Sequence, residues 1–505
     1  MNTSLRELSA LVPSAYVQGD DLVQVSGVTS DSRAVVPGDL FVALVGGTHD
    51  GTRFAPGAIE RGARAVLSAR PLTLQVPTLV VDDVRAALGP IAQRVCGEPT
   101  RAMPTVGITG TNGKTTVSYL LESVLARAGM LPALLGTVAL RGPAGEQPAQ
   151  LTTPEADAIA RFAQEQRQAG ARSLVMEVSS HALEQGRVRG MHFEVAAFTN
   201  LTQDHLDYHG TMEAYGAAKV RLFTEYAPPA SVIMVDQAFG WALAERVRAL
   251  PGQRVFTCSA DPSGEGADFQ VREYASLRTG IKARLTTPQG ELGLTSPLFG
   301  AHNLENLLVV LGCAHALGVD LAVAVDALAT AVGAPGRLER VDHPGDVLVL
   351  VDYAHTPDAL ERALRALRPL TRGRLFAVCG CGGDRDRTKR APMGEAAARE
   401  ADLAILTSDN PRTEDPKAIL AEMEPGAQRA KPRIDESALA EASSGYTVVV
   451  DRTRAIELAM AAAKPGDSVL LAGKGHETYQ IVGKTKHDFD DRREAARAVA
   501  SLRKS

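Results

Sequence analysis

The string "VGITGTNGKTTVSYLL", residues 106–121, joins an apolar strand to a helix through a loop that ends in Lys114, Thr115 and Thr116. That pattern suits phosphate. Gly110 and Gly113, with Thr111 and Asn112 between them, let backbone N–H groups turn toward phosphate oxygens, and the helix N-terminus adds partial positive charge. Lys114 can reach β- and γ-phosphates, and the Thr115 hydroxyl can ligate Mg²⁺. Five residues separate Gly107 from Gly113, one more than the usual spacing. Such a loop serves GTPases, ATPases, kinases and ligases alike. Glu177 closes an apolar strand in "MEVSSHALEQGRV". A buried carboxylate is costly unless paired or metal-bound, and Mg²⁺ beside the phosphate loop would satisfy it. His205 and His209 stand four apart in "TNLTQDHLDYHG". The spacing could suit zinc, but no H-E-x-x-H frame or third ligand accompanies it. Lys219 lies in the otherwise apolar helical string "EAYGAAKVRLF". The ordinary reading is a snorkelling lysine, but a partly buried one has a lowered pKa and a nucleophilic amine.

The elements that position these residues alternate strand and helix. The first hundred residues read as a small α/β domain, with a boundary near Met103 after two close prolines. From "TVGIT" onward, strand–helix pairs argue for a mainly parallel sheet with helices on both faces. Between Ala267 and Pro297 the pattern changes to alternation, more like antiparallel hairpins at a sheet edge. Two helices follow, and "GAPGRLERV" has the composition of a hinge. The last region restarts the rhythm as a doubly wound domain. Its loops "DYAHTPD", "CGGDRDR", "SDNPRTEDP" and "GKGHE" all fall at carboxyl ends of strands, where such sheets bind ligands. Cys379 and Cys381 are two apart and read as core or site lining. The fold expected is α/β in three domains, 1–103, 104–338 and 339–505.

The chain has 505 residues, and 54 basic against 59 acidic side chains give a net charge of −5. That balance does not favour nucleic acid or an anionic membrane as partner. No apolar run approaches the length of a membrane helix, and the N-terminal string lacks a basic start, apolar core and cleavage site. Five scattered cysteines give no disulfide framework. A soluble cytoplasmic protein is expected, with no membrane insertion and monomeric.

The string "GTNGKTT" resembles the Mur ligase family, the ATP-dependent amide-bond-forming enzymes of peptidoglycan precursor synthesis, and their folylpolyglutamate synthetase relatives. "EVSSH", "DHLDYH", "GRLE" and "DYAHTPD" carry the same resemblance, which covers essentially the whole chain. It implies a uridine-binding first domain, a central P-loop ATPase-like domain and a Rossmann-like third domain that binds an amino acid. It implies ATP as co-substrate, held by residues 110–116 with Asn303 at the adenine and Arg337 and Asp352 at phosphates and ribose. Two Mg²⁺ ions are implied, with Thr115, Glu177, His205 and a carbamate on Lys219 (N6-carboxylysine) as ligands. Lys114, Glu177, His205 and Lys219 are the catalytic set. The third domain is expected to close onto the ATP site.

Within the family the likeness is closest to members that add the third stem-peptide residue to UDP-N-acetylmuramoyl-L-alanyl-D-glutamate. That implies contacts to the nucleotide-sugar peptide from Ser30, Ser32, Gly47, Thr48, His49, Thr152, Thr153, Ser179, Gln185 and Arg187. "DNPR", residues 409–412, marks members that take meso-2,6-diaminopimelate, whose second carboxylate a guanidinium can clamp bidentately. Arg385, Asp409, Asn410, Pro411, Arg412, Gly473 and Glu477 match that site, with Glu477 accepting from the distal ammonium. The alternatives are the same reaction with L-lysine or L-ornithine, or a folylpolyglutamate-type ligase. The partners expected are these small molecules.

Overall fold

Parallel strands buried on both faces need continuous apolar runs, and the last region of the chain shows how that is met. Its strands Leu348–Asp352, Ser468–Ala472, Leu375–Cys379, Leu403–Leu406 and Gly445–Val448 lie side by side in that order, all parallel. Along them Leu348, Leu350, Leu375, Ala377, Ala404, Leu406 and Leu470 enter one core with Leu360, Leu364, Met393 and Met423 from helices. The alternate positions Val349, Val351, Phe376, Val378, Leu403, Ile405 and Val469 enter a second core with Ile456, Met460 and Val499. The period of two thus feeds two layers of helices. The segment read as a hinge supplies an antiparallel edge strand, Glu339–Val341.

The computed structural model describes residues 2–45, 50–264 and 266–502. Backbone contacts divide them into two units. One spans 1–272, 285–292 and 305–328, and the other 273–284, 293–304 and 329–505.

Among the described residues the first unit holds a two-stranded ribbon, Thr3–Ser4 with Gln24–Val25, and two larger sheets. A five-stranded sheet runs Tyr16–Gln18, Thr78–Val80, Ala65–Ser68, Asp39–Val42, Gly27–Thr29, parallel except for the first strand. Ala156 and Ala160, from the helix Ala156–Gln168, complete its core. The larger sheet is centred on Thr105–Thr109, which pairs in parallel with Ser173–Glu177 on one side and Val195–Phe198 on the other. Pro132–Leu135, Ala230–Met234 and Arg254–Ser259 extend it in parallel. A hairpin, Ala139–Gly142 with Gly145–Pro148, closes one edge. Its glycines and polar residues hid it in the sequence. The alternating region forms the strands Phe269–Leu277, Gly280–Thr287 and Gly290–Ser296, in that sheet order, with residues 273–284 and 293–296 counted in the other unit. Among the described residues no helix is long and apolar enough to cross a membrane.

Candidate active site

The phosphate loop connects the central strand to the helix Lys114–Arg127. Gly110 and Gly113 take φ angles of 149° and 88°. A Cβ at Gly110 would lie 1.9 Å from Thr199 Oγ1, and one at Gly113 2.3 Å from Asn306 Oδ1, so only glycine fits either position. The loop is pinned to the segment after the neighbouring strand. Thr111 N–H donates to Asn200 O at 2.9 Å, Asn112 N–H to Asn200 Oδ1 at 2.9 Å, and the Thr199 hydroxyl to Asn112 O at 2.6 Å.

Two lysines converge on this loop. Lys114 Nζ donates to the carbonyls of Gly110 and Thr111 at 2.8 and 2.9 Å, and Lys219 Nζ donates to Gly110 O at 3.0 Å. Lys219 projects from the helix Met212–Thr224 and is 1% exposed, so it does not snorkel. Its ammonium lies 4.1 Å from the centroid of the Tyr215 ring. Burial holds its pKa well below the usual lysine range, and the Lys114 charge pushes the same way. The Tyr215 hydroxyl donates to Thr111 Oγ1 at 3.2 Å.

Glu177 is fully buried at its strand end. Its carboxylate accepts from the Thr115 hydroxyl at 3.0 Å, Thr137 N–H at 2.8 Å and the Thr137 hydroxyl at 3.0 Å. Sequence reasoning missed Thr137, because "LLGTVAL" gives no sign of a polar role. Thr109 Oγ1, at the mouth of the loop, is buried with no hydrogen-bond partner among the described residues. The glycine cradle, this orphaned hydroxyl and a buried carboxylate one hydroxyl away fit a phosphate chain with a divalent ion. Among the described residues no group of three or more His, Cys, Asp or Glu could hold a metal by itself. An ion here would therefore draw on Thr115 and on ligand oxygens as well as on Glu177.

His205 takes a left-handed φ of 52° before the single-turn helix Leu206–His209. Its ring stands 4.8 Å from that of His181, which lies 4.2 Å from Tyr208 and 5.4 Å from His209. His181 comes from the helix Ser180–Glu184, capped by the Ser179 hydroxyl. Burial lowers the pKa of His181, aided by the charges of His205 and His209, and burial lowers that of His209 as well. His209 Nε2 is 3.0 Å from Ser180 Oγ.

The residues expected to hold the nucleotide-sugar peptide fall into two groups here. Thr152, Thr153, Ser179, Gln185 and Arg187 come together. Thr153 donates to Glu177 O at 2.8 Å, Arg187 Nη1 to Thr153 O at 2.9 Å, and Arg187 Nη2 to Gln185 Oε1 at 2.6 Å. Thr152 Oγ1 is 3.1 Å from Thr137 Oγ1. Glu155 pairs with both Arg187, at 3.3 Å, and Arg85, at 3.0 Å. Ser30 is held by buried Asp157, to which its N–H and hydroxyl donate at 2.7 and 3.0 Å. Ser32 is half-buried in the following turn. Gly47, Thr48 and His49 lie outside the described residues.

In the second unit, Asn303 is buried and donates from Nδ2 to Phe299 O at 2.8 Å. Asp352 accepts from Leu338 N–H and Ala354 N–H, both at 2.8 Å. Burial raises its pKa, against the opposing pull of Arg337. The Arg337 guanidinium lies 5.0 Å from the centroid of the Tyr353 ring.

Four of the five adjacent parallel strands release the polar loops at one edge, and there the "DNPR" residues meet their expected neighbours. Arg412 has a left-handed φ of 50°. Its N–H donates to Ile481 O at 3.0 Å, and Nη1 donates to Gly383 O at 2.8 Å. A Cβ on Gly382 would come within 2.8 Å of Arg412 Nη1 and 3.8 Å of Arg385 Cγ, which puts both arginines beside the same glycine loop. Arg385 is exposed. Asn410 Nδ2 donates to Glu477 Oε2 at 2.8 Å, and Asp409 carboxylate atoms lie 3.8 Å from where a Gly473 Cβ would be. Pro411 O sits 1.9 Å from the corresponding point on Gly383. Lys474, which sequence reasoning passed over inside "GKGHE", is fully buried among these residues. Cys379 and Cys381 are buried, and burial pushes both thiols up to about 12, so they line this core as neutral groups.

Three family models match the chain in order. The Mur ligase family catalytic domain covers residues 24–95, the Mur ligase middle domain 108–314, and the Mur ligase glutamate ligase domain 336–475. The UDP-N-acetylmuramoyl-L-alanyl-D-glutamate--2,6-diaminopimelate ligase of Synechococcus elongatus is 45% identical, covering 98% of this chain and 99% of its own. The ligase of the same name from Geobacillus thermodenitrificans is 41% identical over 99% of this chain and 100% of its own. A solved structure of a ligase of that name aligns over 100% of both chains with a TM-score of 0.74 and 36% identity. With its site residues gathered around the phosphate loop and the last sheet's loop edge, and with relatives alike over nearly its whole length, the chain belongs to the Mur ligase family.

Proposed function

We propose that the chain is an ATP-dependent ligase that joins meso-2,6-diaminopimelate to UDP-N-acetylmuramoyl-L-alanyl-D-glutamate, forming ADP and phosphate. In this reading it works as a monomer in cytoplasmic peptidoglycan precursor synthesis. Residues 1–103 hold the uridine end, 104–338 the ATP, and 339–505 the amino acid. The observation that carries it is the Asp409–Arg412 turn set beside Arg385, Gly473 and Glu477 at one loop edge, in a chain whose relatives at 41–46% identity are named for this reaction.

A carboxylate is too poor an electrophile for an amine to attack. The D-glutamate γ-carboxylate therefore attacks the ATP γ-phosphate, giving an acyl phosphate and ADP. The diaminopimelate amine then attacks the acyl carbon, phosphate leaves, and the amine gives up its proton. Thr115, Glu177, His205 and Lys219 as its carbamate would hold two Mg²⁺ ions, which supply charge neutralisation at the phosphates. Lys114 turns from the loop carbonyls toward the phosphates. Gly110 and Gly113 keep their N–H groups clear for phosphate oxygens, as no side chain could. Arg187, fixed by Thr153, Gln185 and Glu155, presents its guanidinium to the peptide carboxylates. Arg412 and Arg385 take the distal carboxylate of diaminopimelate, and Glu477 its ammonium. Much of the rate comes from orientation, which supplies up to roughly 7–11 kcal/mol in ideal cases.

The test is ADP release with diaminopimelate, L-lysine and L-ornithine run side by side. Release should need both the nucleotide dipeptide and diaminopimelate. Faster turnover with lysine or ornithine overturns the choice of amino acid. Release that ignores the nucleotide dipeptide overturns the ligase reading.

A further inference from the structure

A lysine is almost never fully buried unless paired, and Lys474 is 0% exposed. It sits in the loop that leaves the strand Ser468–Ala472. Its ammonium is 3.2 Å from Asn410 Oδ1, 3.4 Å from Glu477 Oε2 and 3.5 Å from Asp409 Oδ1. Asp409 Oδ1 is buried with no hydrogen-bond partner among the described residues, so its compensation comes from cations, the Lys474 ammonium in contact and the buried Arg452 guanidinium beyond it. Asn410 Nδ2 donates to the same Glu477 Oε2 at 2.8 Å. Asn410 Oδ1 also accepts from Ile481 N–H at 2.9 Å, and Gln480 Nε2 donates to Asp409 O at 2.8 Å. The rings of Phe489 and Tyr479, 5.7 and 6.0 Å away, flank the ammonium. One cation thus ties the "DNPR" turn to the loop that carries Glu477.

We propose that Lys474 is a positioning residue that makes the site selective for the distal ammonium of the incoming amino acid. The inference rests on the reading above in which Glu477 accepts from that ammonium. Asp409 and Glu477 place two carboxylates around one point. The ammonium between them cancels one of the two charges, so a single negative charge is left for a cationic ligand group. Both bonds to Glu477 fall on Oε2, so Oε1 is the oxygen turned to the ligand. Without Lys474 the two carboxylates repel, one rotates or takes up a proton, and the acceptor is lost. Lys474 itself touches no substrate atom.

The experiment compares diaminopimelate with 2-aminopimelate, which keeps the distal carboxylate and lacks the distal amine. The unaltered chain should prefer diaminopimelate in kcat/KM by at least about tenfold, the scale of one hydrogen bond to a charged group. Lys474→Met should raise the KM for diaminopimelate at least about tenfold and bring the preference over 2-aminopimelate close to one. The KM values for ATP and the nucleotide dipeptide should hold. Combined with Glu477→Gln, it should cost no more than Glu477→Gln alone, because both changes remove one interaction. Equal losses for the two amino acids, or additive losses in the double variant, overturn the proposal and leave Lys474 a structural residue. Thermal melting reads whether Lys474→Met, or Lys474→Gln in its place, folds. Failure of both to fold also overturns it. An unaltered chain that does not turn over diaminopimelate fails the underlying reading, and that result is seen before any variant is made.

Discussion

The loop around Lys114 and the loops around the "DNPR" turn treat their charges in opposite ways. Around the phosphate loop, Lys114 and Lys219 rest on backbone carbonyls, and Glu177 rests on two hydroxyls and an amide. Around the "DNPR" turn, Lys474 lies between two carboxylates and an amide, and that amide also donates to the Glu477 carboxylate. Buried charges satisfied by neutral dipoles remain available to a charged reactant, whereas charges already paired define a shape. The first arrangement suits chemistry, in which charge moves during the reaction. The second suits recognition, in which the charges must stand still.

The largest break in that contrast comes from Lys219. Lys219→Met keeps the helix and fills similar volume while removing the amine beside Gly110. ADP release should fall at least about 10²–10³-fold, the cost of losing one preorganised electrostatic group. Thermal stability should hold or rise, since replacing a buried ionisable group with an apolar one of like volume is often neutral or stabilising. Lys114→Met should lose a similar factor of activity. A marked fall in melting temperature for Lys219→Met would show that the lysine holds the fold, and the contrast would fail on the catalytic side.

Arg412 gives the next largest effect, on the recognition side. It holds a left-handed φ of 50° that L-residues other than Asn and Asp seldom adopt, and its side chain is pinned to Gly383 O. A strained, tethered arginine signals a position fixed for a ligand. Arg412→Ala should raise the KM for diaminopimelate by about 10- to 100-fold, on the scale of charge-assisted hydrogen bonds, and leave the KM for ATP unchanged. Arg412→Gly should do the same to KM with less loss of stability, because glycine accepts that φ freely. Matched rises in both KM values would sink the assignment.

These two sides were not equally legible in the sequence. The phosphate loop announces itself locally, since strand, glycines, Lys114 and helix are consecutive and their geometry follows from backbone rules. Paired apolar runs also gave the two parallel sheets. What stayed hidden depends on contacts between distant segments. Thr137 meets Glu177 across 40 residues, and Ser30 meets Asp157 across 127. Neither threonine nor aspartate is unusual where it stands, so no local pattern marks them. Lys474 was visible as part of a glycine-flanked string, but its burial comes from the turn at Asp409 and the hairpin after Tyr479, which pack only in the fold. The edge strand Glu339–Val341 read as a hinge because Gly336 and Pro335 precede it and dominate local statistics.

The smallest effect concerns pH and the boundary between the two behaviours. His476 lies one residue before Glu477, with its ring 5.0 Å from that of Tyr353, and its Nδ1 is buried with no hydrogen-bond partner among the described residues. Burial first, then the charges of Arg337 and Arg492, push its pKa from 6.5 down to about 4. The folded chain therefore prefers the neutral ring. Above 6.5 neither state carries the proton and the group is silent. As pH falls below 6.5 the unfolded chain binds a proton that the folded chain refuses, so stability drops with falling pH until the folded ring itself titrates near 4. Each unit of difference corresponds to about 1.4 kcal/mol, and solvent access to the half-buried ring reduces the whole to about 1–2 kcal/mol. His476→Asn should thus flatten the decline of the melting temperature between pH 6.5 and about 4 without changing it at pH 8. If the variant and the unaltered chain lose stability in parallel over that window, His476 is not held neutral.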